Sequence, residues 1–129
     1  MKEPTWVLDN VVQAVHSLLL AEHGGSSGIR DEVLLDAAHS RPKQKFSYES
    51  KPSLFELAAA YSFGITKNHP FIDGNKRTAF TIGTLFLELN GYKLAAPEAA
   101  AAIAFDNLAA GNLSEDKLAA WLKEHCLKA

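Results

Sequence analysis

Nine consecutive residues, His69-Pro70-Phe71-Ile72-Asp73-Gly74-Asn75-Lys76-Arg77, bring a histidine, a carboxylate and two cations together around a glycine. Transfer of a phosphoryl or nucleotidyl group to a hydroxyl needs a positioned base, neutralisation of phosphate charge and a divalent cation, with little further chemistry from the protein. His69 is the natural general base, because an imidazole ordinarily titrates close to neutral pH. Asp73 has the chemistry of a magnesium ligand, since Mg2+ beside a polyphosphate takes one or two carboxylates and fills its remaining positions with phosphate oxygens and water. Gly74 lets the backbone turn sharply and approach a ligand closely.

The residues after Gly74 read as the first turn of a helix. Free N–H groups and the helix dipole make such an end an anion site before any side chain is counted. Lys76 and Arg77 add two full positive charges there, which helix electrostatics disfavours unless an anion sits beside them. Singly, each residue has an ordinary explanation: a surface or structural histidine, an aspartate that forms a turn before glycine, an asparagine that caps a helix, a Lys-Arg pair on a solvated face. Their coincidence at the entrance of an apolar helix is what points to a site. Phe71 reads as a structural anchor that fixes the loop to the core.

Helices must position this loop. Val7, Val11, Val15 and Leu18 recur at helical spacing, with Asn10, Gln13 and His16 opposite, which predicts an amphipathic helix ending at Gly24-Gly25. A glycine- and serine-rich loop follows, then a second helix from Asp31 to about Ser40, stopped by Arg41-Pro42. Between Pro42 and Pro52, Phe46, Ser47 and Tyr48 alternate as a short extended arm. Ser53 opens a third helix with Glu56 completing a capping box, and His69-Pro70 ends it near Asn68. Its apolar stripe is Leu54, Leu57, Ala58, Tyr61 and Ile65. A fourth helix runs from Asn75 to Asn90. Apolar residues cover most of its circumference, leaving Thr81, Thr84 and Glu88 as a narrow polar stripe, so it reads as the central helix. Pro97 starts a fifth helix, ended by Gly111-Asn112, and Ser114 caps a sixth that carries Leu118, Trp121 and Leu122 inward. The fold class is all-α.

With 129 residues, 47% apolar and 22% charged, the chain has the size and composition of one globular domain over 1–129. A net charge of −2 with no long run of one sign argues against general nucleic-acid binding, which a basic patch would carry. The lone Cys126 cannot form an internal disulfide, and Met1-Lys2-Glu3-Pro4 does not begin a signal peptide, so the cytoplasm is the expected location. The densest apolar stretch, Ala99 to Phe105, is too short and too rich in alanine to cross a bilayer.

HPFIDGNKR is similar to the active-site motif of the Fic superfamily, HPFx(D/E)GN(G/K)R. Its lysine resembles the death-on-curing (Doc) toxin family rather than the adenylylating branch, which has glycine at that place. The likeness extends through Gly24-Gly25, Gly28-Ile29-Arg30-Asp31, Arg41-Pro42, Leu54-Phe55-Glu56-Leu57-Ala58, Leu87-Glu88-Leu89-Asn90-Gly91-Tyr92 and Ala109-Ala110-Gly111 to Trp121. The resemblance implies a compact six-helix bundle with a central buried helix. It implies that His69 deprotonates a target hydroxyl and that Asp73 holds Mg2+ or orients the nucleotide. Asn75, Lys76 and Arg77, with the backbone at Gly74, would grip the phosphates of ATP. Lys45, Phe46, Ser47 and Tyr48, within about 43–50, would form a flap that docks the protein substrate by strand addition.

The Doc family further implies a toxin of a toxin–antitoxin module that phosphorylates a translation factor, elongation factor Tu, and is inhibited in trans by a Phd-type (prevents-host-death) antitoxin peptide. Many Fic proteins carry an internal inhibitory helix of the form (S/T)xxxE(G/N). Here Thr84 and Glu88 have the spacing, but Leu89 follows and both lie inside the fourth helix. Two alternatives remain: a Fic-type adenylyltransferase using the same His69, and a non-catalytic module that binds an antitoxin or peptide. A zinc hydrolase is disfavoured, because Pro70 and Gly74 break the helical pairing of His69 with Asp73, and His16, His23, His39 and His125 have no ligand spacing with them.

Overall fold

The computed structural model describes residues 2–129. Six helices account for most of it: α1 (Asp9–His23), α2 (Glu32–Tyr48), α3 (Leu54–Asn68), α4 (Asn75–Leu89), α5 (Glu98–Ala109) and α6 (Glu115–His125). Two short strands, β1 (Tyr92–Leu94) and β2 (Cys126–Lys128), pair antiparallel with Tyr92 opposite Lys128 and Leu94 opposite Cys126. The all-α class holds, and no described helix is long and apolar enough to cross a membrane.

Two helices share the centre. Leu57, Tyr61 and Ile65 of α3 and Ile82, Phe86 and Leu87 of α4 are almost fully buried. The run Ala58-Ala59-Ala60 and Gly83 let these helices approach closely: a Cβ placed on Gly83 would lie 2.2 Å from Ser62 Oγ. That hydroxyl is already committed, donating to the Ala79 carbonyl at 2.7 Å. The capping box expected at Ser53 is present, with Ser53 Oγ accepting from Glu56 N and Glu56 Oε1 accepting from Ser53 N.

Tyr61 donates its hydroxyl to the Val7 carbonyl and accepts from Val7 N, tying the N-terminal segment to α3. Burial pushes its phenol up to about 12, offset only in part by the hydrogen bond to Val7. The unfolded phenol ionises near 10 while the folded one stays neutral, so stability is intact below pH 10 and falls as pH rises toward 12. Alkaline denaturation followed by the tyrosinate absorbance is expected to show this loss, and Tyr61→Phe to diminish it.

Two sequence expectations are corrected. The second helix does not stop at Arg41-Pro42, and Lys45 to Tyr48 are not an extended flap; α2 runs through Pro42 to Tyr48. A proline inside a helix forfeits a backbone bond and costs about 3 kcal/mol. Tertiary contacts on both sides of Pro42 offset it. Pro42 itself is buried, Phe46 packs edge-on against Trp6 at 5.7 Å, and Glu115 of α6 pairs with both Arg41 and Lys45. Burial works to lower the Lys45 pKa, but its hydrogen bond to Glu115 and the neighbouring carboxylates outweigh this and hold it above the ordinary value. Removing that carboxylate with Glu115→Ala is expected to cost about 2–3 kcal/mol in urea unfolding, less than the 3–5 of a fully buried pair because Arg41 stays 41% exposed.

The second correction concerns α1. Leu18, expected on the buried stripe, is 67% exposed, and His16, expected on the polar side, is 5% exposed. The buried face is Val12 and His16, with Val11 and Val15 beside them; Val7 is buried but precedes the helix. An imidazole with a hydrogen-bond partner can be buried, and the buried face of α1 is turned from the phase its valines and leucines suggest. Pro97 immediately precedes α5, which opens at Glu98.

Candidate active site

The loop joining α3 to α4 is held from several directions. Its first residue, His69, closes α3 in the left-handed conformation, with φ 49° and ψ 54°. A positive φ at a non-glycine residue costs energy and concentrates at functional positions. The segment 28–31 holds it there. Arg30 donates from its guanidinium to the carbonyls of Asn68 at 2.9 Å and His69 at 2.7 Å, a cation on the negative end of α3. The backbone N–H groups of Arg30 and Asp31 both reach the Pro70 carbonyl, and Ile72 N donates to the Gly28 carbonyl at 3.1 Å. Ile29 and Phe71 form an antiparallel bridge. With its backbone tied, the exposed His69 imidazole keeps both nitrogens free of side-chain hydrogen bonds to described residues.

Phe71 is buried, 1% exposed. Asn75 clamps it: Phe71 N donates to Asn75 Oδ1 at 3.0 Å, and Asn75 Nδ2 donates to the Phe71 carbonyl at 2.9 Å. The Asn75 side chain thus bonds to both backbone groups of Phe71, and its own backbone N–H has no partner among the described residues. His16 supports the loop from α1. Its ring stacks on Phe71 with centroids 3.8 Å apart, and Nε2 lies 2.7 Å from the Asp73 carbonyl. A carbonyl only accepts, so Nε2 carries the proton.

Asp73 Oδ2 accepts from Ser26 N at 2.8 Å, which leaves the other carboxylate oxygen for a cation. Gly25, at φ 122°, approaches so closely that a Cβ there would meet Asp73 Cβ at 3.3 Å. The glycine-rich stretch 24–28 is thus a cradle for Asp73. Gly74, at φ 81°, turns the chain into α4, whose N-terminus has no side-chain cap. The backbone N–H groups of Gly74, Asn75, Lys76 and Arg77 have no partner among the described residues. Lys76 Nζ pairs with Asp106 of α5, both more than half exposed, and the exposed Arg77 has no ion-pair partner among the described residues. A cleft of about 480 Å³ is lined by His69, Asp73, Gly74, Asn75, Lys76 and Arg77. A second cleft of about 820 Å³, between α4 and α5, shares Lys76 and Arg77 with it. Both volumes suit a small-molecule site.

The family model described as Fic/DOC family matches residues 6–87, which hold α1 to α3, this loop and most of α4. The chain belongs to the Fic/DOC family. It is similar to the protein named Toxin Doc of Mycolicibacterium smegmatis, with 43% identity over 74 residues, 57% of either chain. It is also similar to Protein kinase doc of Escherichia phage P1, with 35% identity over 81 residues, 63% of this chain and 64% of the relative. Each match spans less than two thirds of the relative's own length.

In this Fic/DOC chain, His69, Asp73, Gly74, Asn75, Lys76 and Arg77 line one cleft. The four residues expected to form a substrate flap do not join them. Lys45, Phe46, Ser47 and Tyr48 lie on α2 and line neither cleft; Lys45 and Phe46 are tied inward. The contributions that sequence reasoning missed are those of His16, Arg30 and Ser26. For His16 the available signal was phase, because Val12, His16 and Leu19 also make a helical stripe. Ser26 acts through its backbone, which leaves no residue-type signal.

Proposed function

We propose that this Fic/DOC chain is the toxin of a toxin–antitoxin module and transfers the γ-phosphate of ATP to a hydroxyl of a protein substrate, an elongation factor Tu, so that protein synthesis stops. The observation that carries this reading is the shared cleft: an unencumbered imidazole at His69 beside an uncapped helix N-terminus flanked by Lys76 and Arg77. His69 takes the proton from the acceptor hydroxyl as its oxygen bonds to the γ-phosphorus. The bond from that phosphorus to the bridging oxygen breaks, and ADP leaves. The N–H groups at the start of α4 and the Arg77 guanidinium meet the phosphate charge in the positions where it builds up.

The donors present suit Mg2+. No cluster of three or more histidine, cysteine, aspartate or glutamate side chains exists among the described residues, and a magnesium ion needs none when phosphates supply the other oxygens. Asp73 would hold it through the carboxylate oxygen that Ser26 leaves free. Bound there, the ion would neutralise phosphate charge. Inhibition by a Phd-type antitoxin in trans, in the cytoplasm, suits a chain whose Thr84–Glu88 pair is embedded in α4 and followed by Leu89.

One observation favours a second reading, adenylyl transfer. The Lys76–Asp106 pair draws the ammonium toward α5, which lessens the obstruction that distinguishes lysine from glycine at this position. ATP labelled at the α- or γ-phosphate separates the two in a lysate assay. Transfer of γ-label alone supports phosphorylation; transfer of α-label alone overturns it.

A further inference from the structure

We propose that His16 is a positioning residue for this site, pinning the Asp73–Gly74 peptide so that the Gly74 N–H and the start of α4 stay turned toward phosphate. The proposal rests on the reading of the cleft as a phosphate site. Its basis is the geometry of one peptide unit. The Asp73 carbonyl accepts from His16 Nε2 at 2.7 Å, on the α1 side of the loop. In a trans peptide the C=O and the following N–H point in opposite directions. Holding the Asp73 carbonyl toward α1 therefore aims the Gly74 N–H away from it, and that N–H has no partner among the described residues.

A peptide next to glycine is the easiest kind to flip, because glycine accepts either sign of φ. Flipping this one would turn the Gly74 N–H toward α1 and set a carbonyl oxygen, which repels phosphate, in its place. His16 is fixed well enough to prevent this. Its side chain is 5% exposed, its ring lies nearly parallel to Phe71 at 10°, and Phe71 is itself clamped by Asn75. The ring also sits under Gly74, where an added Cβ would meet His16 Cδ2 and Nε2 at 3.5 Å. An aliphatic side chain at position 16 would fill the space without holding the carbonyl.

Two variants of the full chain separate holding from filling. His16→Phe keeps a stacked ring and removes the donor; His16→Gln keeps an N–H donor and removes the ring. The Phe variant is expected to remain folded and to raise KM for ATP by about tenfold, the effect of leaving one buried carbonyl unpaired and its peptide free to turn. The Gln variant, which keeps a donor for the carbonyl, is expected to stay within about threefold of the parent. Neither should move the pH profile of kcat, because His16 transfers no proton to substrate. An unimpaired Phe variant, equal impairment of both variants, or a shifted acidic limb in the Gln variant would each overturn the proposal. Should the Phe variant not fold, the Gln variant decides alone: KM close to the parent's supports the pin, and a larger loss rejects it. Calorimetric binding of ATP keeps the test separate from the transfer reaction, since a parent that binds ATP but transfers no label refutes the reaction and leaves the affinity ratio readable. If the parent does not bind ATP, the phosphate reading fails. The pin is then read from the Asp73–Gly74 nuclear Overhauser pattern, which must match between parent and Gln variant and change in the Phe variant.

Discussion

His69→Asn is expected to lower the single-turnover rate of label transfer from ATP by about 10²–10⁴-fold, the range attributed to a positioned general base, while leaving the fold intact. Asparagine is the replacement of choice because position 69 has φ 49°, and asparagine tolerates the left-handed region better than other polar residues. The backbone contacts that define the loop, from Arg30 to the carbonyls of residues 68–70, use no atom of the imidazole and survive the substitution. ATP affinity should therefore change little, and the loss should fall on kcat. A variant as toxic as the parent, or as fast in transfer, would favour the non-catalytic binding module.

The largest effect on stability is expected at Asn75. Asn75→Ala removes both bonds to Phe71 and leaves a buried N–H and a buried carbonyl without partners, each costing about 1–3 kcal/mol. A total of about 2–6 kcal/mol is expected, read from the fall in the urea midpoint, a large share of the 5–15 kcal/mol that holds a small domain together. Asn75→Asp should fall between parent and alanine. One carboxylate oxygen still accepts from Phe71 N, but the donor to the Phe71 carbonyl is gone. The new negative charge also sits at the first turn of α4, so the aspartate variant is expected to lose ATP binding out of proportion to its stability. Measuring unfolding and ATP affinity on the same samples separates these effects. If the alanine variant is as stable as the parent, the clamp does not hold the loop.

Some of the active loop was legible because its signals are local. A proline after His69 ends α3, a glycine at position 74 permits the turn into α4, and the charges of Lys76 and Arg77 conflict with a helix N-terminus unless an anion is near. Capping at Ser53 and Ser114 is local too, each side chain reaching a backbone N–H three residues on. The path of α2 was illegible for the opposite reason. Pro42 is a strong local argument against helix, and it lost to Trp6, which is distant in sequence, and to Glu115, farther still. The strands β1 and β2 have three residues each and pair across the sequence from Tyr92 to Lys128, too short for any alternation to declare them.

By itself the sequence determined the helical class and the position and residue types of the loop, because periodicity, capping and the chemistry of a nine-residue motif all act over short range. Only the tertiary structure decided how those groups are employed. It joined the Asn75 side chain to the backbone of Phe71, drew Lys76 toward Asp106, and kept Lys45 to Tyr48 on α2 and out of the cleft. It also brought His16, Arg30 and Ser26 to the loop from 57, 39 and 47 residues away in the chain. Contacts of that reach depend on which helix faces pack together, and a helix face shifts by 100° for each residue of phase. His16 is the clearest case: its burial on α1 depends on that packing, and only there does it donate to the Asp73 carbonyl and stack on Phe71.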